Sequence, residues 1–235
     1  MHIAILMTNT DQSRFSEQHP KDGEKFTTLI QDARPDWTTE VHPVKDGVFP
    51  ESLEGLDGIM ITGSPASAQS DDPWVLELLQ VIRDADAAGV RMFGACFGHQ
   101  AIARALGGGV GFNAGPFVLG IVEAEVLEPA PWMKDAPERF RIAAAHGEQV
   151  TALPEGAVVN SRGPGCPVGG FHIGDRIFAT EYHPEMTHGF IEALTEAMAR
   201  KMDPEVISAA RASLEVPLDR EMFAEWVARF FEGKR

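Results

Sequence analysis

The chain has 235 residues, of which 44% are hydrophobic, so it is long enough to bury one sizeable core. Its formal net charge of −15 argues against nucleic acid or an anionic membrane as a partner, because both require a basic patch. The two cysteines, Cys96 and Cys166, form neither a disulfide framework nor a metal-binding spacing, which favours a reducing, cytoplasmic location. The apolar start at 1–7 is too short for a membrane span and lacks the basic leader of a secretory signal.

Strands and helices are predicted to alternate in the first half of the chain. Short apolar runs bounded by turn residues predict strands at 3–7, 38–43, 57–62 and 91–93. Apolar residues at helical spacing predict helices at 23–33, 73–88 and 98–106. Residues 12–22 are expected to be loop, and the polar segment 8–22 is expected to overhang the ligand site. The alternation predicts an α/β fold with a mostly parallel sheet, helices on both faces and a ligand site beyond the carboxyl ends of the strands.

The second half is expected to add antiparallel strands and then helices. Strand-like pieces separated by turn signals occur at 117–127, 139–145, 157–161, 168–173 and 176–181. Helical patterns follow at 186–200, 204–214 and 218–232. We therefore predict one domain over 1–200, with 201–235 as a helical extension packed on it. The apolar stripe of the last helix favours core packing, and a partner interface is the alternative; it consists of Phe223, Trp226, Val227 and Phe230.

The segment 94–100, GACFGHQ, is the most informative part of the chain because it places Cys96 between a predicted strand and a predicted helix. The spacing G-x-C-x-G is the cysteine form of a nucleophile elbow, in which the side chain is held above the sheet. Unpaired N–H groups and the dipole of the following helix favour the thiolate. The alternative is a small buried cysteine, but such a residue does not need Gly94 and Gly98 beside it.

A second segment, 181–185 with the sequence EYHPE, supplies a candidate base. His183 follows an apolar strand, Pro184 fixes the backbone after it, and Glu185 can reach back to hold one imidazole tautomer. A cysteine nucleophile requires such a base and such an orienting group. The alternative is a loop histidine beside a carboxylate that is favoured in the first turn of a helix.

Together, GACFGHQ and the later HPE resemble the class I (triad-type) glutamine amidotransferase family, over residues 1 to about 190. The chain looks similar to stand-alone members, to the glutaminase domain of GMP synthase and to the γ-glutamyl peptidases. The resemblance implies a flavodoxin-like sheet and a Cys96–His183–Glu185 triad that hydrolyses a γ-glutamyl amide through a cysteinyl thioester and releases ammonia. It implies no cofactor, and the remaining histidines show no metal-like cluster.

The same resemblance implies further site residues. Backbone N–H groups of Gly63, in the family-like Gly-Ser-Pro loop, and of Phe97 would form the oxyanion hole. Gln100 would line the glutamine pocket, and the main chain of Ala145, His146 and Gly147 would meet the amino-acid end of the substrate. A surface-loop histidine is an equal alternative for His146. Cys166 is expected to be structural, and we assign no chemistry to His99.

Two residues depart from the family pattern, and they bear on the identity of the substrate more than on the triad. Glu181 stands where the family usually has Gln, and its charge could raise the pKa of His183. Glu148 stands where the family usually has Asp. The sequence leaves three functions open: ammonia release from glutamine, either to a separate synthetase or to solvent; hydrolysis of γ-glutamyl peptides or substituted amides; and a non-catalytic binding subunit. The first is preferred, with a small-molecule substrate.

Overall fold

A computed structural model of the chain describes residues 1–233. The strands are β1 (His2–Leu6), β2 (Thr38–His42), β3 (Gly58–Ile61), β4 (Met92–Ala95), β5 (Gly109–Phe112), β6 (Val118–Val126), β7 (Arg139–His146), β8 (Glu148–Ala152), β9 (Ala157–Gly163), β10 (Cys166–Ile173) and β11 (Ile177–Thr180). The helices are α1 (Arg14–Glu17), α2 (Asp22–Ala33), α3 (Pro73–Ala87), α4 (Phe97–Ala105), α5 (His188–Met198), α6 (Pro204–Ser213) and α7 (Arg220–Glu232).

The central sheet combines a parallel half with an antiparallel half. Its strand order is β2-β1-β3-β4-β11-β10-β9-β6-β7. The strands from β2 to β11 in this order pair in parallel, and those from β11 to β7 pair antiparallel. The predicted α/β class, with a parallel sheet and added antiparallel strands, is therefore confirmed. β5 and β8 form a small separate antiparallel sheet.

Both faces of the parallel half are covered by helices, as predicted. Successive strand residues point to opposite faces of the sheet, so each strand packs against both layers of helices. In β1, Ile3 and Ile5 lie in a core cluster with residues of α2 and α7. Ala4 and Leu6 lie in a second cluster with residues of α3 and α4. The two clusters are the two sides of a sheet that is buried on both faces, which explains the continuous apolar runs of its strands.

The antiparallel half has its own apolar cover from α5 and α6. Leu119 and Ile121 of β6 and Ala143 of β7 form a third buried cluster with Ile191 of α5 and Ile207 of α6. α5 begins after Thr187, whose side chain accepts a hydrogen bond from the Phe190 N–H, so the helix starts two residues later than predicted. This packing places α5 beside the carboxyl end of β11, where the candidate base lies.

Three local predictions were wrong or incomplete. The segment 12–22 is not entirely loop, because Ser13 caps the short helix α1. The sequence also did not predict β5 or β8, since half of β5 is glycine, which weakens any strand signal. A single 3₁₀ turn at Val44–Asp46 was not predicted either. Each of these elements is too short to show a clear hydrophobic period.

The last helix packs against the core as predicted. Its apolar stripe is buried, and all four predicted residues belong to the cluster on the α2 face of the sheet. Arg34, at the end of α2, ties this helix down through Glu225, with Nη1 to Oε2 at 2.8 Å, and Glu232, with Nε to Oε1 at 2.7 Å. The final two residues of the predicted extension 201–235 lie outside the described residues.

Candidate active site

Cys96 occupies the turn between β4 and α4, where its backbone has φ 49° and ψ −106°. A non-glycine residue rarely adopts positive φ, and such strain clusters at functional sites. The turn is held on both sides: the Cys96 N–H donates to the Thr180 carbonyl at 2.9 Å, and the Cys96 carbonyl accepts from the Gln100 N–H at 3.0 Å. Cys96 therefore lies at the N-terminus of α4, where unpaired N–H groups favour a negative charge.

The two glycines that flank Cys96 are required by close backbone contacts. A methyl group on Gly94 would lie 2.6 Å from the carbonyl carbon of Gly98. A methyl group on Gly98 would collide with the carbonyl oxygen of Ile61 in β3. Glycine at these positions therefore lets α4 lie directly on β3 and β4, which sets the height of Cys96 above the sheet.

His183 and Glu185 form a buried hydrogen-bonded pair just after β11. The distance from His183 Nδ1 to Glu185 Oε1 is 2.7 Å, and both side chains are buried. Because the carboxylate can only accept, Nδ1 carries the proton of the neutral imidazole and Nε2 is left as the basic nitrogen. Nε2 has no hydrogen-bond partner among residues 1–233.

Gly63 lies between the cysteine and the histidine. A methyl group at this position would lie 2.9 Å from Cε1 of His183 and 3.6 Å from Cβ of Cys96. The three residues follow β3, β4 and β11, which are neighbouring parallel strands whose carboxyl ends meet at one edge of the sheet. The structure thus brings Cys96, His183, Glu185 and Gly63 together at that edge.

A buried pair of threonines fixes the loop that carries Gly63. The Thr8 hydroxyl lies 3.0 Å from the carbonyl oxygen of Gly63 and 3.0 Å from the hydroxyl of Thr62. The Thr8 N–H also donates to the Thr62 hydroxyl at 3.0 Å. These bonds turn the Gly63 carbonyl toward Thr8. Phe97, the other predicted oxyanion residue, is the first residue of α4, where a backbone N–H has no acceptor within the helix.

Cys96, His183 and Glu185 shift one another's pKa values through their contacts. Burial raises the pKa of the Cys96 thiol, and the nearby His183 opposes this rise. Burial lowers the pKa of His183, but Glu185 and Cys96 together raise it well above 6.5. Burial raises the pKa of Glu185, but His183 outweighs this effect and the pKa lies below 4.5. An imidazole that is readily protonated because a carboxylate lies beside it is suited to taking a proton from the thiol.

Glu181 does not contact His183. Its Oε1 accepts from the Gln100 amide at 2.7 Å, and its Oε2 lies 3.0 Å from Nδ1 of His99. The rise in the His183 pKa is accounted for by Glu185 and Cys96, so the predicted influence of Glu181 on His183 is not needed. Gln100 lines the cavity as predicted, but its amide nitrogen also donates to the Glu148 carbonyl at 3.1 Å. Gln100 therefore bridges the helix that follows the elbow to the start of β8.

His146 ends β7 and is buried, so the surface-loop alternative is wrong. Its Nδ1 lies 3.0 Å from the Glu148 carbonyl oxygen, and burial lowers its pKa from 6.5, so the ring is neutral near pH 7. Ala145, His146 and Gly147 line the same cavity as Cys96. Glu148 accepts from the Ser67 hydroxyl at 2.9 Å, which links β8 to the loop after Gly63.

A cavity of about 560 Å³ opens beside these residues. It is lined by Cys96, His183 and Gly63 and also by Asn9, Phe15 and Lys25 from the segment before β2. The sequence analysis did not single out Asn9, Phe15, Lys25 or Thr8 as site residues. A signal was available for Thr8 and Asn9, because both follow β1, which neighbours β3 in the sheet.

Residues 1–233 contain no group of three or more His, Cys, Asp or Glu residues placed to hold a metal ion. No helix in this range has the length and apolar character needed to cross a membrane.

Comparison with known proteins identifies one family. The family model "Glutamine amidotransferase class-I" matches residues 27–197. Gamma-glutamyl peptidase 3 of Arabidopsis thaliana is 28% identical over 242 residues, covering 98% of this chain and 96% of that protein. A GMP synthase of Aeropyrum pernix is 33% identical over 140 residues, which is 59% of this chain and 26% of that protein. The crystal structure of a glutamine amidotransferase from Thermotoga maritima matches with a TM-score of 0.78 at 18% identity, covering 98% of each chain.

Proposed function

The chain belongs to the class I glutamine amidotransferase family, and we propose that it hydrolyses γ-glutamyl amides through a thioester on Cys96. The observation that carries the proposal is the meeting of Cys96, His183 and Gly63 in one cavity, with Glu185 bonded to His183 at 2.7 Å. A nucleophile, a base and a group that orients the base are the parts that acyl transfer by a cysteine requires.

In the first half of the reaction, Cys96 attacks the γ-carbonyl carbon as its proton passes to Nε2 of His183. The carbonyl oxygen becomes an oxyanion, which accepts hydrogen bonds from the N–H groups of Gly63 and Phe97. Removing one such donor typically raises the barrier by about 3 kcal/mol. The C–N bond then breaks, His183 gives its proton to the leaving nitrogen, and the acyl group remains on the sulfur as a thioester.

In the second half, His183 takes a proton from water, and the resulting hydroxide attacks the thioester carbon. The C–S bond breaks, glutamate leaves, and the proton returns to the sulfur. Glu185 keeps the proton of His183 on Nδ1 and stabilises the imidazolium that forms twice in the cycle. Gln100 and the main chain of 145–147, which line the same cavity, hold the glutamyl part of the substrate.

The simplest leaving group is the ammonia of glutamine, which would go to a separate synthetase or to solvent. The match to GMP synthase covers only 26% of that protein, so the chain corresponds to a part of it. A second candidate is a γ-glutamyl peptide or substituted amide. The size of the cavity favours it, because ammonia does not need about 560 Å³, and the γ-glutamyl peptidase match spans 96% of that relative.

The test is to incubate the purified chain with glutamine, γ-glutamyl dipeptides and γ-glutamyl alkylamides, and to measure the released ammonia, amine and glutamate. We expect turnover by the wild type and none by Cys96→Ala. Intact-mass measurement after rapid quenching is expected to show an acyl adduct on the wild type that Cys96→Ala lacks. Wild-type protein that binds these compounds without cleaving any of them would instead support a non-catalytic binding subunit.

A further inference from the structure

Several residues that line the cavity belong neither to the proposed triad nor to the proposed glutamyl-binding residues. We call this part of the cavity the Lys25 subsite and define it by the residues Phe15, Asp22, Lys25, Met186, Phe190 and Leu194, all of which line the cavity. It lies on the His183 side of Cys96, because Met186 and the residues of α5 directly follow the segment of the base. The leaving group must be on this side, since His183 protonates it.

Lys25 is the charged centre of this subsite. Its side chain is 9% exposed, its ammonium pairs with Asp22, and it lies 3.8 Å from the centroid of the Phe190 ring. Asp22 is itself held by the Asn9 amide at 2.6 Å. An ammonium has three N–H donors, so pairing with Asp22 and stacking on the ring leave it able to bind a second anion.

The position of Lys25 relative to the triad is indicated by its effect on Glu185. Burial raises the pKa of Glu185, and His183 lowers it. Lys25 is among the other groups that lower this pKa. Among the described residues that line the cavity, Lys25 is the sole lysine or arginine. An anionic group of a bound substrate near His183 would therefore have this ammonium as its cationic partner.

The rest of the subsite is apolar. Phe190 and Leu194 are one turn apart on α5 and so share a face of that helix. The Phe15 ring lies 5.6 Å from the Phe190 ring, and Met186 is buried beside the base. A ligand here would meet the ammonium of Lys25, which is paired with Asp22, and a surface of aromatic and aliphatic side chains.

We propose that the Lys25 subsite binds a leaving group that is an amino acid with a free α-carboxylate and an apolar side chain. In a γ-glutamyl amino acid, the carboxylate is carried by the carbon bonded to the scissile nitrogen, so it lies on the side of His183. Lys25 pairs with that carboxylate, and Phe190, Leu194 and Met186 cover the side chain. The inference rests on the proposed function, because it names the part of the substrate that leaves when the thioester forms.

Three substrates separate the two parts of this recognition. γ-Glutamyl-leucine has both the carboxylate and the apolar side chain, γ-glutamyl-(3-methylbutyl)amide lacks the carboxylate, and γ-glutamyl-asparagine replaces the apolar side chain by a polar one of similar shape. For the wild type we expect kcat/KM for the leucine compound to exceed each of the others by about tenfold or more, as expected for a desolvated charge pair or a buried apolar side chain. Equal values for all three would overturn the proposal.

The variant Lys25→Met tests the residue itself. We expect it to lower kcat/KM for the two γ-glutamyl amino acids about tenfold more than for the alkylamide. Because this change leaves Asp22 unpaired in a buried position, the double variant Asp22→Asn/Lys25→Met removes both charges, and thermal unfolding reports whether each variant is folded. Lys134→Met is the matched control, since Lys134 is exposed and lines neither this cavity nor the adjoining one that Lys25 shares with Lys45.

The outcomes distinguish this inference from the proposed function. Equal losses on all substrates, including glutamine, in both Lys25 variants would mean that Lys25 acts on the triad and not on the leaving group. Hydrolysis of glutamine by the wild type without discrimination among the three amides would overturn the subsite alone. No cleavage of any γ-glutamyl compound would overturn both.

Discussion

The substitution Gly94→Ala tests whether close packing of α4 on the sheet sets the position of Cys96. The new methyl group would lie 2.6 Å from the Gly98 carbonyl carbon, 2.7 Å from the Gly98 oxygen and 2.7 Å from Cδ1 of Ile102. Ordinary contact begins at 3.4 Å, so α4 and β4 must separate by roughly 0.8 Å. Overpacking of this kind costs about 1–3 kcal/mol of folding stability, and most of the obstruction here is backbone, which cannot rotate away.

The catalytic effect is expected to be larger than the loss of stability suggests. Cys96 is carried by the same turn, so it moves with the displaced backbone. A displacement of about 1 Å in a reacting group can reduce the rate by about 100-fold. We expect Gly94→Ala to lower kcat/KM for the preferred γ-glutamyl amide by about this factor. The rate of Cys96 alkylation by a small thiol reagent gives a second readout that does not depend on the substrate.

Gly189→Ala is the control for this experiment. Gly189 lies in the first turn of α5, and a methyl group there meets nothing within 4 Å. The change is therefore expected to raise stability slightly, by about 0.4–1 kcal/mol, and to leave turnover unchanged. Wild-type melting temperature and wild-type kcat/KM in Gly94→Ala would refute the reasoning that the glycine contact positions the nucleophile.

Three further predictions concern the triad and the Gly63 loop. Glu185→Gln is expected to slow turnover much less than Cys96→Ala, because the amide still accepts the Nδ1 hydrogen bond; equal losses of kcat would show that Glu185 does more than orient His183. Although burial opposes both shifts, mutual attraction keeps the pKa of Glu185 below 4.5 and that of His183 above 6.5. The attraction between Glu185 and His183 thus stabilises the folded state fully between pH 4.5 and pH 6.5. This stabilisation is lost as pH falls through the folded pKa of Glu185 or rises through that of His183. The difference in melting temperature between wild type and Glu185→Gln should therefore be largest from pH 4.5 to 6.5; a difference that grows toward alkaline pH would contradict this sign. Thr8→Val is expected to cost about 1–3 kcal/mol, because it removes the hydroxyl that donates to the buried carbonyl oxygens of Thr62, at 2.9 Å, and Gly63, at 3.0 Å, and also to lower kcat. Thr8→Ser should restore both, and a Thr8→Val protein with unchanged melting temperature and kcat would show that the threonine pair does not position the loop.

The arrangement of Cys96, His183 and Gly63 could be predicted because each follows a buried strand. The carboxyl ends of parallel strands share one edge of a sheet, so the order of strands and loops in the sequence already brings these residues near one another. The G-x-C-x-G spacing also predicted which backbone positions require glycine, and the contacts of Gly94 and Gly98 explain why. What the sequence could predict was therefore the edge of the sheet and the residues that stand on it.

The environment of Lys25 and His146 could not be predicted in the same way. Lys25 lies three residues after Asp22, a spacing that is common on exposed helix faces, but here the Phe190 ring of α5 covers its ammonium. The burial of His146 depends on tertiary contacts with β8 and Asn113, near strands too short or too glycine-rich to give a signal. Both environments depend on contacts between elements that are far apart in sequence, and such contacts leave no hydrophobic period in the sequence.

The position of α7 shows that the region matched by the family model is shorter than the region needed for a stable protein. The family match ends at residue 197, yet Phe223 of α7 stacks on Phe178 at 5.6 Å, and Phe178 in turn contacts Phe93 at 5.4 Å, in the strand that leads to Cys96. A recombinant fragment trimmed to the matched region would expose these rings to water beneath the nucleophile. Expression boundaries for this chain should therefore follow the aromatic stack and not the alignment.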